Sequence, residues 1–77
     1  MGRFSIRVMR DDGEPAVDVG VMIDYGIFNG GTEEQRTGRD GWVEFHNRDG
    51  VPGTIWVHGE NMGEHSLDDG KTYSYTI

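Results

Sequence analysis

Seventy-seven residues, 14 acidic against 7 basic side chains and no cysteine describe one small acidic unit, residues 1–77, with a formal charge of -7. That composition excludes disulfides, and it lacks the cluster of cations that a phosphate backbone or an anionic lipid surface requires, so neither nucleic acid nor membrane is expected as a partner. Hydrophobic residues make up 34%, a thin supply for a core of this size, which points to a protein partner or self-association covering part of the surface.

The N-terminus, Met1-Gly2-Arg3-Phe4, opens no apolar run of signal-peptide length, so a complete chain would be cytoplasmic. Phe4-Ser5-Ile6-Arg7-Val8 alternates with period two and predicts a half-buried strand. The segment Asp11 to Pro15 turns the chain. Val17 to Tyr25 predicts the next strand, with Val17, Val19, Val21, Ile23 and Tyr25 on one face. The glycine-rich loop Gly26 to Gly31 carries Ile27 and Phe28, which are expected to tuck over the sandwich end; a tip that reaches a partner is the other reading. Thr32 to Thr37 reads as a polar edge strand. Trp42 to His46, Thr54 to His58 and Thr72 to Ile77 read as further strands, and residues 59–66 are ambiguous.

Asp-Gly occurs four times, at Asp12-Gly13, Asp40-Gly41, Asp49-Gly50 and Asp69-Gly70, and suits tight turns. Short alternating segments between such turns predict an all-β antiparallel sandwich of about six or seven strands. Its core should hold Phe4, Ile6, Val8, Val19, Val21, Ile23, Val43, Phe45, Ile55, Val57, Tyr73 and Tyr75.

The order of pieces Asp12-Gly13-Glu14-Pro15, Val17 to Ile23, Thr37 to Phe45 and Pro52-Gly53-Thr54-Ile55 resembles the carboxypeptidase regulatory-like and transthyretin-like β-sandwich modules. The resemblance covers residues 4–59 and implies a seven-stranded sandwich with a non-catalytic accessory role. Transthyretin-like hydrolases share that architecture, but their histidine-bearing N-terminal motif and tyrosine-arginine-glycine-serine ending are missing here.

Catalytic chemistry finds little purchase. The serines are Ser5, Ser66 and Ser74, none in a nucleophile elbow, and Ser66 points away from its neighbour His65 in a strand. His46, His58 and Glu44 are the best metal ligands, without the spacing of a zinc motif. Asp11-Asp12-Gly13-Glu14 and Asp68-Asp69-Gly70 read as turns rather than calcium loops. No enzyme activity and no cofactor are expected.

The tryptophans are more informative. With Val43 and Phe45 inward, Trp42, Glu44 and His46 point outward; with Ile55 and Val57 inward, so do Trp56 and His58. If the two strands pair, both indoles share one outer face; in the opposite register they fill the core. The expected function is a binding or structural accessory module acting through Trp42, Glu44, Trp56 and His58, joined by Phe28. A carbohydrate-binding module is one alternative, and a transthyretin-like or metal-dependent hydrolase the other.

Overall fold

A strand whose side chains alternate can bury one face, so the chain lays two sheets face to face. The computed structural model describes residues 2–48 and 50–77. Among them are seven strands: β1 (Arg3–Met9), β2 (Gly20–Asp24), β3 (Thr32–Arg36), β4 (Trp42–His46), β5 (Gly53–Val57), β6 (Glu60–His65) and β7 (Thr72–Thr76). One sheet has the order β4-β1-β7, with β1 antiparallel to β4 and parallel to β7. The other has the order β3-β2-β5-β6 and is antiparallel throughout. The all-β fold expected from the alternation is therefore the fold observed. Its helical content among the described residues is one 3-10 turn, Ile27–Asn29, too short to cross a membrane.

The inward positions pack into one core. Phe4, Ile6 and Val8 of β1 meet Val43 and Phe45 of β4 on one side and Val21, Ile23, Ile55 and Val57 of the opposite sheet on the other. Phe4 and Phe45 face each other across β1 and β4 and stack at 5.5 Å. Val19, Tyr73 and Tyr75 are half-buried rather than central, and Ala16, Tyr25 and Leu67 complete the core. Polar side chains close both flanks of the sandwich. Gln35 Nε2 of β3 donates to the Glu44 carbonyl of β4 at 2.9 Å. On the other flank His65 of β6 packs on Tyr73 of β7 at 4.8 Å and lies 3.3 Å from the Tyr75 hydroxyl.

Two expectations need correction, and the structure resolves the ambiguity over residues 59–66. The strand expected from Val17 begins only at Gly20, because Asp18 has φ 58 and turns Val17 outward, where it is 54% exposed. Ile27 and Phe28 do not tuck over the core; they stand out from it, 86% and 94% exposed. Residues 60–65 form a full strand joined to β5 by the two-residue turn His58-Gly59, with φ 52 and 79. Positive φ at both positions is the hairpin geometry that matches strand twist. The aspartate of the expected Asp49-Gly50 turn lies outside the described residues.

Thr37 fixes the approach to β2. Its buried hydroxyl donates to the Ala16 carbonyl at 2.6 Å and accepts from the Val19 N–H at 2.9 Å. The hydroxyl thereby satisfies two backbone groups of the irregular segment between β1 and β2, which would be costly to leave unpaired.

Buried Tyr25 and half-buried Tyr75 set an alkaline limit. Burial, then the Glu33 charge, raises the Tyr25 pKa above its ordinary value, with Arg48 opposing. Burial, then Tyr73, raises that of Tyr75. The unfolded chain releases these protons near pH 10, before the folded protein does. Above that pH the folded state binds more protons, so stability falls as pH rises. Urea midpoints are expected to be insensitive to these groups below about pH 9 and to drop above about pH 10. Tyr25→Phe and Tyr75→Phe together should flatten that drop; an undiminished drop would contradict the assignment.

Candidate functional site

The outer face of the three-stranded sheet is built by alternation on β1, β4 and β7. Inward Phe4, Ile6 and Val8 send Arg3, Ser5 and Arg7 outward, and inward Val43 and Phe45 send Trp42, Glu44 and His46 outward. Register then makes the neighbours: Arg7 opposite Trp42, Ser5 opposite Glu44, Arg3 opposite His46. On the far side of β1, Thr72 lies beside Ser5 and Ser74 beside Arg7. The result is a central row of Trp42, Arg7 and Ser74, flanked by Glu44, Ser5 and Thr72.

The Arg7 guanidinium carbon sits 5.8 Å from the centre of the Trp42 ring, and the indole is 38% exposed. Such a contact is worth about 0.5–1 kcal/mol at an exposed site, enough to bias the orientation of both groups. Arg3 Nη1 lies 3.1 Å from Glu44 Oε1, with both side chains more than half exposed. An ion pair that open contributes little to stability, so both groups remain accessible to a ligand.

The two outer faces differ in charge. The strand positions just described carry Arg3 and Arg7 against Glu44. The outward positions of the four-stranded sheet carry Asp24, Glu34 and Glu64 against Arg36. The Trp42 face thus carries two guanidiniums on its strand positions, with the Asp40 and Asp69 carboxylates accepting from the Trp42 and Arg3 N–H groups at the strand ends.

The five candidate residues divide among four places. Trp42 and Glu44 share the face above. Trp56 lies on the outer face of the opposite sheet, beside Met22 and Asn61, because β5 pairs with β2 and β6 and not with β4. It is half-buried, and its indole N–H is buried without a partner among the described residues. His58 forms the turn after β5, and Phe28 projects from the loop after β2. The shared face of two indoles is therefore corrected: the protein separates them by the thickness of the sandwich.

His58 is likewise on the sheet opposite Glu44 and His46, so those three do not converge. Among the described residues no three histidine, aspartate or glutamate side chains gather as a metal site. Arg3 and Arg7 escaped the sequence reading as site residues. Their outward direction follows from alternation, but their place beside Trp42 depends on β1 pairing with β4 across 32 intervening residues.

Compared with known proteins, the chain matches no family model and no curated protein.

Proposed function

We propose that the protein is a non-catalytic docking module that holds a protein partner against the outer face of its three-stranded sheet. The observation that carries this reading is Trp42, a partly exposed indole backed by Arg7 on the outer face of the three-stranded sheet. Trp and Arg are the side chains that concentrate binding energy at protein contacts. Two guanidiniums facing outward suit a partner that presents carboxylates, which arginine grips with two parallel hydrogen bonds. The resemblance of the turn order to carboxypeptidase regulatory-like and transthyretin-like modules supports an accessory role of this kind, as does the arrangement of seven strands in two sheets.

Carbohydrate is the second reading. It is favoured by the hydroxyls of Ser5, Thr72 and Ser74 lying in register beside the indole and the Arg3–Glu44 pair. An aromatic ring next to hydrogen-bonding groups matches the apolar face and polar rim of a sugar.

Affinity capture compares the wild-type domain with Trp42→Ala and Arg7→Ala, alongside an oligosaccharide panel. Proteins retained by the wild type are expected to be lost from Trp42→Ala, with affinity down about 30-fold, the scale of a central interface residue. Identical capture by the two variants would overturn the reading. Oligosaccharides bound by the wild type alone would select the carbohydrate alternative.

A further inference from the structure

Five pairs in the chain set asparagine or aspartate before glycine: Asn29-Gly30 and the four Asp-Gly pairs. In such a pair the glycine nitrogen can attack the side-chain carbonyl carbon of the residue before it, and glycine, with no Cβ, leaves the approach open. The reaction needs a side chain free to swing over the backbone and a glycine N–H free to give up its proton.

The fold withholds both from the three Asp-Gly pairs that lie wholly within the described residues. Asp12 Oδ1 accepts from the Glu14 N–H at 3.0 Å, Asp40 Oδ1 from the Trp42 N–H at 3.0 Å and Asp69 Oδ1 from the Arg3 N–H at 2.9 Å. The three glycines donate in turn: Gly13 to the Arg10 carbonyl at 3.0 Å, Gly41 to that of Gly38 at 3.0 Å and Gly70 to that of Arg3 at 2.8 Å.

Asn29-Gly30 is arranged differently. Both residues are exposed, at the end of the turn Ile27–Asn29, with Gly30 at φ 99. Tyr25 N–H donates to the Gly31 carbonyl at 2.8 Å, and the N–H groups of Asn29 and Gly31 donate to the Gly26 carbonyl at 3.1 and 2.8 Å. The Gly30 N–H takes part in none of these bonds. Among the described residues the Asn29 side chain has no hydrogen-bond partner; only its backbone is held.

A cation completes the site. The Asn29 carbonyl belongs to the same peptide group as the Gly30 nitrogen, and Arg48 Nη1 donates to it at 2.6 Å. When that nitrogen loses its proton, amide resonance passes the negative charge to the carbonyl oxygen. A guanidinium bonded there stabilises the charged form, because a charge-assisted hydrogen bond is about twice as strong as a neutral one. Glu33 at 3.5 Å and the Tyr25 ring at 3.9 Å hold the guanidinium in place.

We propose that Asn29-Gly30 is a site of spontaneous backbone modification, promoted by Arg48 and independent of the docking face. The Gly30 nitrogen bonds to Asn29 Cγ, the Cγ–Nδ2 bond breaks, and ammonia leaves with the proton that the nitrogen gave up. The product is a cyclic imide. Water then opens the ring at either carbonyl and leaves aspartate or isoaspartate at position 29. Either product adds a negative charge beside Arg48, where it competes with Glu33. Isoaspartate also lengthens the backbone at the residue whose carbonyl Arg48 holds. The brace on the exposed Ile27-Phe28 tip is thereby lost as the protein ages.

Peptide mapping by mass spectrometry, on the whole chain kept in mildly alkaline buffer, tests this in the folded protein and in urea. Fragment masses locate the exchanged amide, and enzymatic methylation distinguishes isoaspartate from aspartate. In the folded protein Asn29 is expected to convert while Asp12, Asp40 and Asp69 keep their normal linkage; urea should release those three. Arg48→Gln should slow the folded protein's conversion about tenfold, the scale of one lost charged hydrogen bond. Arg48→Lys should restore part of the rate, and in urea all three proteins should convert alike. Asn29→Gln, whose longer side chain must close a larger ring, should abolish the change. Chymotryptic cleavage after Phe28 should rise as conversion proceeds. An Asn29 that stays intact in the folded protein, an Arg48→Gln protein that converts as fast as the wild type or faster, or converted protein cut no faster than fresh would each overturn the proposal.

Discussion

Phe45→Ala is expected to leave the domain largely unfolded at room temperature. Phe45 is fully buried, stacks on Phe4, and helps fix the ring that Tyr73 meets edge-on at 6.3 Å. Truncating a buried phenylalanine costs about 3–5 kcal/mol, the transfer of its atoms plus the cavity left behind. A domain near the lower size limit holds about 5 kcal/mol in total, so the loss consumes most of it. Far-UV circular dichroism with a urea titration reads the outcome. Phe45→Leu keeps most of the volume and should retain a cooperative transition at a lower midpoint. A Phe45→Ala protein with a near-wild-type midpoint would show that the two sheets do not depend on this pair.

Gly41→Ala is expected to cost at least about 2 kcal/mol, although it adds one methyl group. Gly41 has φ 80, a conformation that costs an L side chain about 1–2 kcal/mol. Its added Cβ would also lie 2.5 Å from the Val8 carbonyl oxygen. That strand cannot simply step aside, because Val8 N–H donates to the Gly41 carbonyl at 2.8 Å and the Val8 carbonyl accepts from Ala16 at 3.0 Å. Strain therefore reaches β1, β4 and the segment entering β2 together. Gly50→Ala is the control, because it has the same φ of 80 and, among the described residues beyond its chain neighbours, no atom within 4 Å of the added Cβ. The difference between the two urea midpoints isolates the collision from the backbone preference. Equal losses would mean that the close approach to Val8 carries no weight.

Period-two alternation was enough to orient β1, β4 and β5, each with an uninterrupted buried face, and β7, whose inward Tyr73 and Tyr75 are half-buried. β6 was illegible for a physical reason: its register against β5 shifts between Thr54 and Trp56, and Gly63 at φ 99 marks an extra residue on the β6 side. A bulge of that kind breaks alternation and hides the strand. The turn before it was hidden too, since His58 takes a position where asparagine or glycine is the usual signal. Leu67 reached the core at φ 55, outside any alternating segment. At the candidate site, alternation placed Trp42 and Glu44 on an outer face. It carried no information on which strands are neighbours, so Trp56 was joined to the wrong sheet and Arg7 was left out. Pairing between distant segments is set by the closing of the whole sandwich, not by any one of them.

The docking face rests on the difference between the two indoles, and two single-tryptophan proteins read it directly. Trp56→Phe leaves Trp42 as the reporter, and Trp42→Phe leaves Trp56. With a partner recovered by capture on the wild-type domain, the Trp42 reporter should shift to shorter wavelength and become shielded from acrylamide. In Trp42→Phe the remaining indole should stay unchanged when the same partner is added. A partner that binds Trp56→Phe at full strength while Trp42 keeps its emission and its quenching would contradict docking through this face.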